Sequence, residues 1–343
     1  MRYKLFGRSG LRVSELALGT MTFGPEWGWG SDKEESKKVF EAYAKAGGNF
    51  IDTANRYTDG TSEKYVGEFI HSDREHFVVA TKYTLFTRHG DPNFSGNHRK
   101  NMMQAIEASL KRLDTDYIDL YWLHAWDYTT PVDEVMRGLD DLVRSGKILY
   151  IGVSDTPAWI VSQANTLAEL RGWSRFVGLQ IQYSLLERTV ERELLPMARA
   201  LDLAVTPWGV LGAGVLSGKY NRNDKPREGR AAAGGAKDER NLSIAQTVIE
   251  IAEEIGCTPS QVALAWVRQQ PGVIIPILGA RHAGQLQDNL GCLDVSLNTD
   301  QMNRLDEISR IDMGFPHIFY NDPRIRDIIY GGTYEQIDNH RKS

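Results

Sequence analysis

YIDLYWLHAWDYTTPVDEVMRGLDDLVRSGKILYIGVSD, residues 117–155, holds two short apolar runs, YIDLYWLH and ILYIGVS, on either side of a segment of helical period. That pattern predicts two parallel strands joined by a crossover helix. Working outward, six more such runs appear: ELALG around Leu16, NFIDT around Ile51, FVVATK around Val79, FVGLQIQ around Leu179, LAVTPW around Val205 and VIIPILG around Ile275. Most lie roughly 30 residues apart, the length of one βαβ unit. Helix starts are expected at Ser31, at Thr61 or Ser62, and at Thr156 with Pro157 in the first helical position. An open doubly wound sheet also alternates, but eight repeats with no GxGxxG after the first strand predict an α/β fold of the (β/α)8 TIM-barrel class.

The opening YKLFGRSGLRVSEL reads as a hairpin around Gly7 to Gly10 that plugs the N-terminal end of the barrel. The expected organisation is one domain over residues 1–343: hairpin 1–14, barrel 15–292, and a C-terminal helix and aromatic-rich tail over 293–343. Hydrophobic residues make up 41% and charged residues 25%, and a net charge of −5 offers no basic face, so nucleic acid is not an expected partner. No run approaches the 18 or so apolar residues of a membrane span. Two cysteines, Cys257 and Cys292, and a start without an apolar leader fit a reducing cytoplasm. Monomer and homo-oligomer are equally open.

In a barrel of this kind the chemistry lies at the C-terminal strand ends. Strand two ends in Asp52 with Tyr57 five residues on, strand three in Lys82, strand four in His124, strand five in Ser154 and Asp155, strand six in Gln180, strand seven in Trp208, and strand eight in Gly279, Ala280 and Arg281. Asp52, Tyr57, Lys82 and His124 suit carbonyl reduction, where hydride attack leaves an alkoxide that needs a proton and nearby positive charge. Tyr57 supplies the proton, Lys82 is expected to favour its phenolate, Asp52 holds Lys82, and His124 orients the carbonyl, as neutral imidazole or charged. Singly, each residue has an ordinary explanation: Asp52 a helix cap, Lys82 a solvated lysine, His124 a satisfied interior histidine. The joint register with the strand ends favours the site. Neither a metal-binding histidine set nor the paired strand-end carboxylates of a barrel hydrolase is present.

The segments LALGTMTFG, FIDTANRYTDGTSEKYVG, ATKY, LYWLHAWD, YIGVSD, LQIQYSLLER, TPWGVLGAGVLSGKY and PILGARHAGQLQDNL stand in an order that resembles the aldo-keto reductase superfamily across nearly the whole chain. The resemblance implies an NADPH-dependent oxidoreductase acting on a small carbonyl compound, with Tyr57 as proton donor and the reverse alcohol oxidation available. It implies NADP lying across the barrel mouth: Ser154, Asp155 and Gln180 on the carboxamide, Trp208 stacked on the nicotinamide, and Gly279, Arg281, Gln285 and Asn289 at the adenosine end. Gly19, Thr20, Met21, Asp52, Gly209, Val210, Leu211, Gly214, Lys219, Ala280 and Asp288 complete the expected cofactor contacts. Arg281 at the head of a helix suits a 2′-phosphate and hence NADP over NAD. Substrate walls are expected from Trp27, Tyr57, Tyr83, His124 and Trp126. The polar, glycine-rich stretch from about Gly209 to Asn241 is expected as a mobile loop over the cofactor. Two positions depart from the family pattern: Asp155 where many relatives have Asn, and Trp208-Gly209-Val210-Leu211 in place of aromatic-Ser-Pro-Leu. The family also includes slow, channel-attached regulatory subunits, but no docking extension is visible here.

Overall fold

A computed structural model describes residues 1–221 and 238–338. Its strands are β1 Tyr3–Leu5, β2 Arg12–Ser14, β3 Ala17–Gly19, β4 Phe50–Asp52, β5 Val78–Tyr83, β6 Ile118–Leu123, β7 Ile148–Ser154, β8 Phe176–Gln182, β9 Ala204–Trp208 and β10 Ile277–Gly279. Helices α1 Lys33–Lys45, α2 Thr61–Ile70, α3 Arg99–Leu113, α4 Val132–Arg144, α5 Ala158–Arg171 and α6 Leu194–Ala200 follow β3 to β8 in turn. After β9 come α7 Glu239–Ile255 and α8 Pro259–Arg268, and after β10 come α9 Ala283–Leu290 and α10 Thr299–Ile308. The eight strands from β3 onward form one parallel sheet in the order β10-β3-β4-β5-β6-β7-β8-β9.

The cylinder closes in an uneven way. Val205 N–H donates to the Val273 carbonyl at 2.7 Å and Ile275 N–H to the Val205 carbonyl at 2.8 Å, while β10 pairs with β3. Pro276 lies between the two stretches and has no N–H to give. The eighth apolar run is thereby divided, with 273–275 serving the seam and 277–279 the ladder. The result is the (β/α)8 barrel.

Side chains alternate across the strands as the two-residue period requires. Phe50, Val78, Ala80, Leu120, Trp122 and Ala204 fill the interior, whereas Ile51, Val79, Tyr83, Tyr121 and Leu123 face the helices. β1 and β2 form the antiparallel hairpin. It delivers Phe6 into the barrel, edge-on to Phe50 at 5.5 Å and to Trp122 at 6.2 Å between centroids, so the plug sits at the end where the strands begin. Gly152 makes room for the indole: a Cβ there would lie 2.3 Å from the Trp122 ring. Gly152→Ala is therefore expected to destabilise the barrel by about 1–3 kcal/mol through overpacking. Chemical denaturation checks this, and an unchanged midpoint would show that the ring yields freely.

The helix starts differ from expectation where other partners, distant or local, take the capping groups. Asp32, not Ser31, caps α1 by accepting from Glu35 N–H at 2.9 Å, and Ser31 Oγ donates instead to the Arg281 carbonyl at 2.6 Å. Gly60 precedes α2. Pro157 is the cap residue of α5, and Thr156 Oγ1 turns back to the Ser154 carbonyl at 2.8 Å.

Two compact units are present. Met1–Ser309 contains the barrel and α10, which is fastened by Trp266 Nε1 donating to Asp306 at 3.1 Å. Arg310–Ser343 carries α11 His317–Asn321 and α12 Pro323–Tyr330, with ring pairs Phe315–Phe319 and Tyr330–Tyr334. Among the described residues no helix is long and apolar enough to cross a membrane. Residues 222–237, the centre of the expected mobile loop, lie outside the described residues.

Candidate active site

β4 and β5 bring Asp52 and Lys82 into register with the inward-facing row that includes Phe50, Val78 and Ala80. Lys82 is 0% exposed and Asp52 2%. An ammonium has three hydrogens to place, and here each meets an acceptor: Asp52 Oδ2 at 2.5 Å, the Thr53 carbonyl at 2.8 Å and Tyr57 Oη at 3.2 Å. The second Asp52 oxygen accepts from Gln180 Nε2 at 2.9 Å, so the Gln180 amide nitrogen is turned toward the tetrad.

Tyr57 opens a turn in which Thr58 (φ 45°), Asp59 (φ 55°) and Gly60 (φ 94°) are all left-handed. Such backbone persists only where its surroundings hold it. Thr58 Oγ1 donates to the Phe23 carbonyl at 2.6 Å and accepts from Ser62 N–H at 3.0 Å. Beyond the turn, the fully buried Glu63 accepts from Arg112 Nε and from Thr81 Oγ1, each at 2.5 Å, tying α2 to the strand that carries Lys82. No local signal in the sequence marks Glu63, whose partners are 18 and 49 residues away.

His124 meets Tyr57 edge to face, with centroids 6.0 Å apart at 83°. Its backbone N–H is shared by the Tyr83 carbonyl and Thr84 Oγ1, both at 3.3 Å. Thr84 is held at φ 99° and donates to Asn97 Oδ1 at 2.8 Å, while Asp127 Oδ2 accepts from Asn97 N–H at 2.7 Å. The loop bearing His124 is thus clamped to the loop after β5. Thr84, Asn97 and Asp127 are supports that sequence reading missed.

Burial and neighbouring charges together set the protonation of Tyr57, Lys82 and His124. Burial pushes the Tyr57 phenol up, Lys82 pulls it down without cancelling that rise, and Asp52 pushes it up again. The phenol therefore keeps its proton; the pull of Lys82 has the expected sign, and burial outweighs it. Burial drags Lys82 down, yet Asp52 and Tyr57 together lift it above the ordinary lysine range, so it stays charged. Burial, aided by the Lys82 charge, holds His124 well below the usual histidine value, which makes the imidazole neutral. Its Nδ1 is buried without a hydrogen-bond partner among the described residues.

At the rim, Trp208 Nε1 donates to Asp155 Oδ1 at 3.3 Å. Asp155 sits at φ 41°, where Asn and Asp are the best-tolerated side chains, so the exchange of one for the other keeps the backbone. Loss of hydration pushes its carboxyl up despite Trp208 and Lys82. Trp27 lies 6.4 Å from Tyr57 and 5.7 Å from Trp29, and the Arg56 guanidinium rests over Trp27 and Phe86. Trp126 N–H donates to the Asp155 carbonyl at 3.4 Å. Tyr83 does not join this wall. One residue beyond Lys82 it points to the opposite face, 0% exposed and stacked on Tyr121 at 5.3 Å.

Among the expected cofactor residues, Gly19 lets β10 approach, since a Cβ would lie 2.6 Å from Ile277. The Thr20 side chain is buried against Ser62 Oγ at 2.8 Å. Met21 is half-buried, Ser154 and Asn289 are buried, and Val210 is buried next to the half-buried Leu211. Gly209, Gly212, Ala213 and Gly214 all have positive φ, and Lys219 Nζ lies 2.9 Å from where a Gly214 Cβ would stand. Thr22 Oγ1 holds the Ala280 carbonyl at 2.7 Å, and Arg281 N–H donates to Gln285 Oε1 at 3.0 Å. The Asp288 carboxylate is occupied with the start of α8, accepting from Thr258 Oγ1 and Gln261 Nε2, each at 3.3 Å.

Residues 15–310 match the family model described as the aldo/keto reductase family. The chain is 38% identical over 350 residues to an aryl-alcohol dehydrogenase [NADP(+)] of Phanerodontia chrysosporium, covering 95% of this chain and 91% of that protein. It is also 38% identical over 325 residues to a norsolorinic acid reductase of Aspergillus flavus (92% of this chain, 82% of that protein). A putative aryl-alcohol dehydrogenase of Saccharomyces cerevisiae is 37% identical over 330 residues (92% and 88%). A lysine–aspartate pair under a tyrosine at the mouth of a parallel barrel, and a match along most of the chain, lead to one identification: this protein belongs to the aldo/keto reductase family and is an oxidoreductase of carbonyl and alcohol groups.

Proposed function

We propose that the chain catalyses NADPH-dependent reduction of an aldehyde or ketone, with Tyr57 as proton donor and alcohol oxidation as the reverse reaction. The observation that carries this is the Lys82 ammonium, which touches Asp52 and the protonated Tyr57 phenol at once. Bound NADPH supplies the hydride. Tyr57 gives its proton to the carbonyl oxygen, and Lys82, kept charged by Asp52, stabilises the phenolate left behind. Gln180 fixes the Asp52 carboxylate, and neutral His124 donates a hydrogen bond to the substrate oxygen.

The residues present fit the dinucleotide. Gly212, Ala213 and Gly214 form a left-handed turn, and Lys219 Nζ comes close to it because Gly214 has no Cβ, which supplies a cation for a phosphate to meet. Trp208, 36% exposed, offers an indole face at the mouth. NADP is favoured over NAD by Arg281 and by the name of the Phanerodontia relative. The same relative and the row of Trp27, Trp29 and Phe86 support an aryl carbonyl substrate. The free thiols Cys257 and Cys292 are consistent with a reducing cytoplasm.

The test is NADPH oxidation at 340 nm with a panel of aryl and alkyl aldehydes and ketones. Turnover, fastest with aryl carbonyls, is expected; tight NADPH binding without turnover on any member would overturn the reductase reading. For the cofactor, Arg281→Ala is expected to weaken NADPH by about 10- to 100-fold, the scale of a lost charge-assisted contact, and to leave NADH nearly unchanged. Tryptophan fluorescence titration reads both, and equal losses would place the 2′-phosphate elsewhere.

A further inference from the structure

α1 and α9 lie side by side, and the head of α9 is held from α1. Ser31 Oγ donates to the Arg281 carbonyl at 2.6 Å, and Ala283 N–H, the first in α9, donates to Glu35 Oε1 at 3.0 Å. That same carboxylate oxygen lies 3.8 Å from His282 Nδ1, and the other is 3.7 Å from Lys38 Nζ. The Arg281 N–H is meanwhile taken by Gln285 Oε1 at 3.0 Å. Side-chain oxygens thus occupy the N–H groups on both sides of His282. One of those oxygens belongs to a carboxylate whose side chain is 27% exposed and which is bonded to the chain two residues beyond Arg281.

A 2′-phosphate brings close to two negative charges to this corner. Glu35 opposes it in two ways: its carboxylate already satisfies the helix N-terminus, where an anion is favoured, and its charge repels a second anion. Lys38 offsets part of that charge, but both of its partners, Glu34 and Glu35, are carboxylates. An unphosphorylated ribose meets no such repulsion. We propose that Glu35 is a specificity-determining residue that limits the preference of this chain for 2′-phosphorylated dinucleotides over unphosphorylated ones. This rests on the reading that Arg281 receives the 2′-phosphate.

The experiment titrates the full chain and its Glu35→Gln variant with 2′,5′-ADP, 5′-ADP, NADP+ and NAD+ by calorimetry. Gln keeps an oxygen acceptor at the same reach for Ala283 N–H and removes only the charge. The expected result is about three- to tenfold tighter binding of both 2′-phosphorylated ligands, unchanged binding of the other two, and a gain that shrinks toward about 0.5 M salt as screening sets in. Glu35→Asp, whose shorter side chain draws the charge back, gives a smaller gain and serves as the second variant if the first does not fold. An unchanged ratio of the two ligand classes overturns the proposal. So does selective loss of NAD+ affinity, which would assign Glu35 to the ribose hydroxyls. Should neither the parent chain nor Glu35→Gln distinguish 2′,5′-ADP from 5′-ADP, it is the Arg281 reading that fails instead.

Discussion

Tyr57→Phe lowers turnover by roughly two to four orders of magnitude, the usual share of a positioned general acid, while dinucleotide affinity stays within about twofold of the parent. The phenylalanine ring fits the place of the tyrosine, edge-on to His124 and Trp27, and loses only the hydroxyl that stands 3.2 Å from Lys82 Nζ. With Asp52 and the Thr53 carbonyl still in contact, Lys82 remains satisfied and the mouth keeps its form. Stopped-flow turnover beside a fluorescence titration separates the two effects. Parent-like turnover would remove Tyr57 as the donor; an equal loss of dinucleotide affinity would show that the hydroxyl serves binding rather than proton transfer.

Lys82→Met is expected to destabilise the protein by about 3–5 kcal/mol and to abolish turnover, because it strands the Asp52 carboxylate in a buried site. Gln180 Nε2 is left as its side-chain partner, and one neutral donor does not replace an ammonium. Combining Lys82→Met with Asp52→Asn removes the uncompensated charge, so a large part of the stability returns while turnover remains lost. Denaturation midpoints of the two variants and the parent form the comparison. If Lys82→Met alone is as stable as the parent, the pair does not hold the barrel mouth together.

Alternating apolar runs and their spacing made the barrel legible, because each strand needs one inward and one outward row whatever its neighbours are. The inward positions of Asp52, Lys82, His124 and Gln180 follow from the same rule. Tyr83 was open to that rule too: adjacent to Lys82, it had to face the helices. Other features were not legible, since they depend on partners brought near only by folding. Ser31 and Asp32 are both good helix caps in isolation, and the Arg281 carbonyl, 250 residues away, decides between them. Glu63 resembles any charged residue on a surface helix until Arg112 and Thr81 close around it. The weight of burial on Tyr57 depends on the surrounding wall, which a motif cannot convey. The division of the eighth run follows from Pro276, a residue visible in the sequence whose effect emerges only once β9 is alongside.

That division also places the barrel's thinnest joint. Neighbouring strands elsewhere share ladders of two to five register pairs, whereas β9 and the segment before β10 meet through the single bridge of Val205 and Ile274. Trp208 ends one side of this joint and Arg281 follows the other. In the proposed binding mode a dinucleotide gripped by both residues acts as a removable rivet across the split, and its binding energy is delivered where the hoop has the fewest bonds of its own. Cofactor and cylinder would then be mechanically joined, since the molecule that brings the hydride also finishes the wall that holds it.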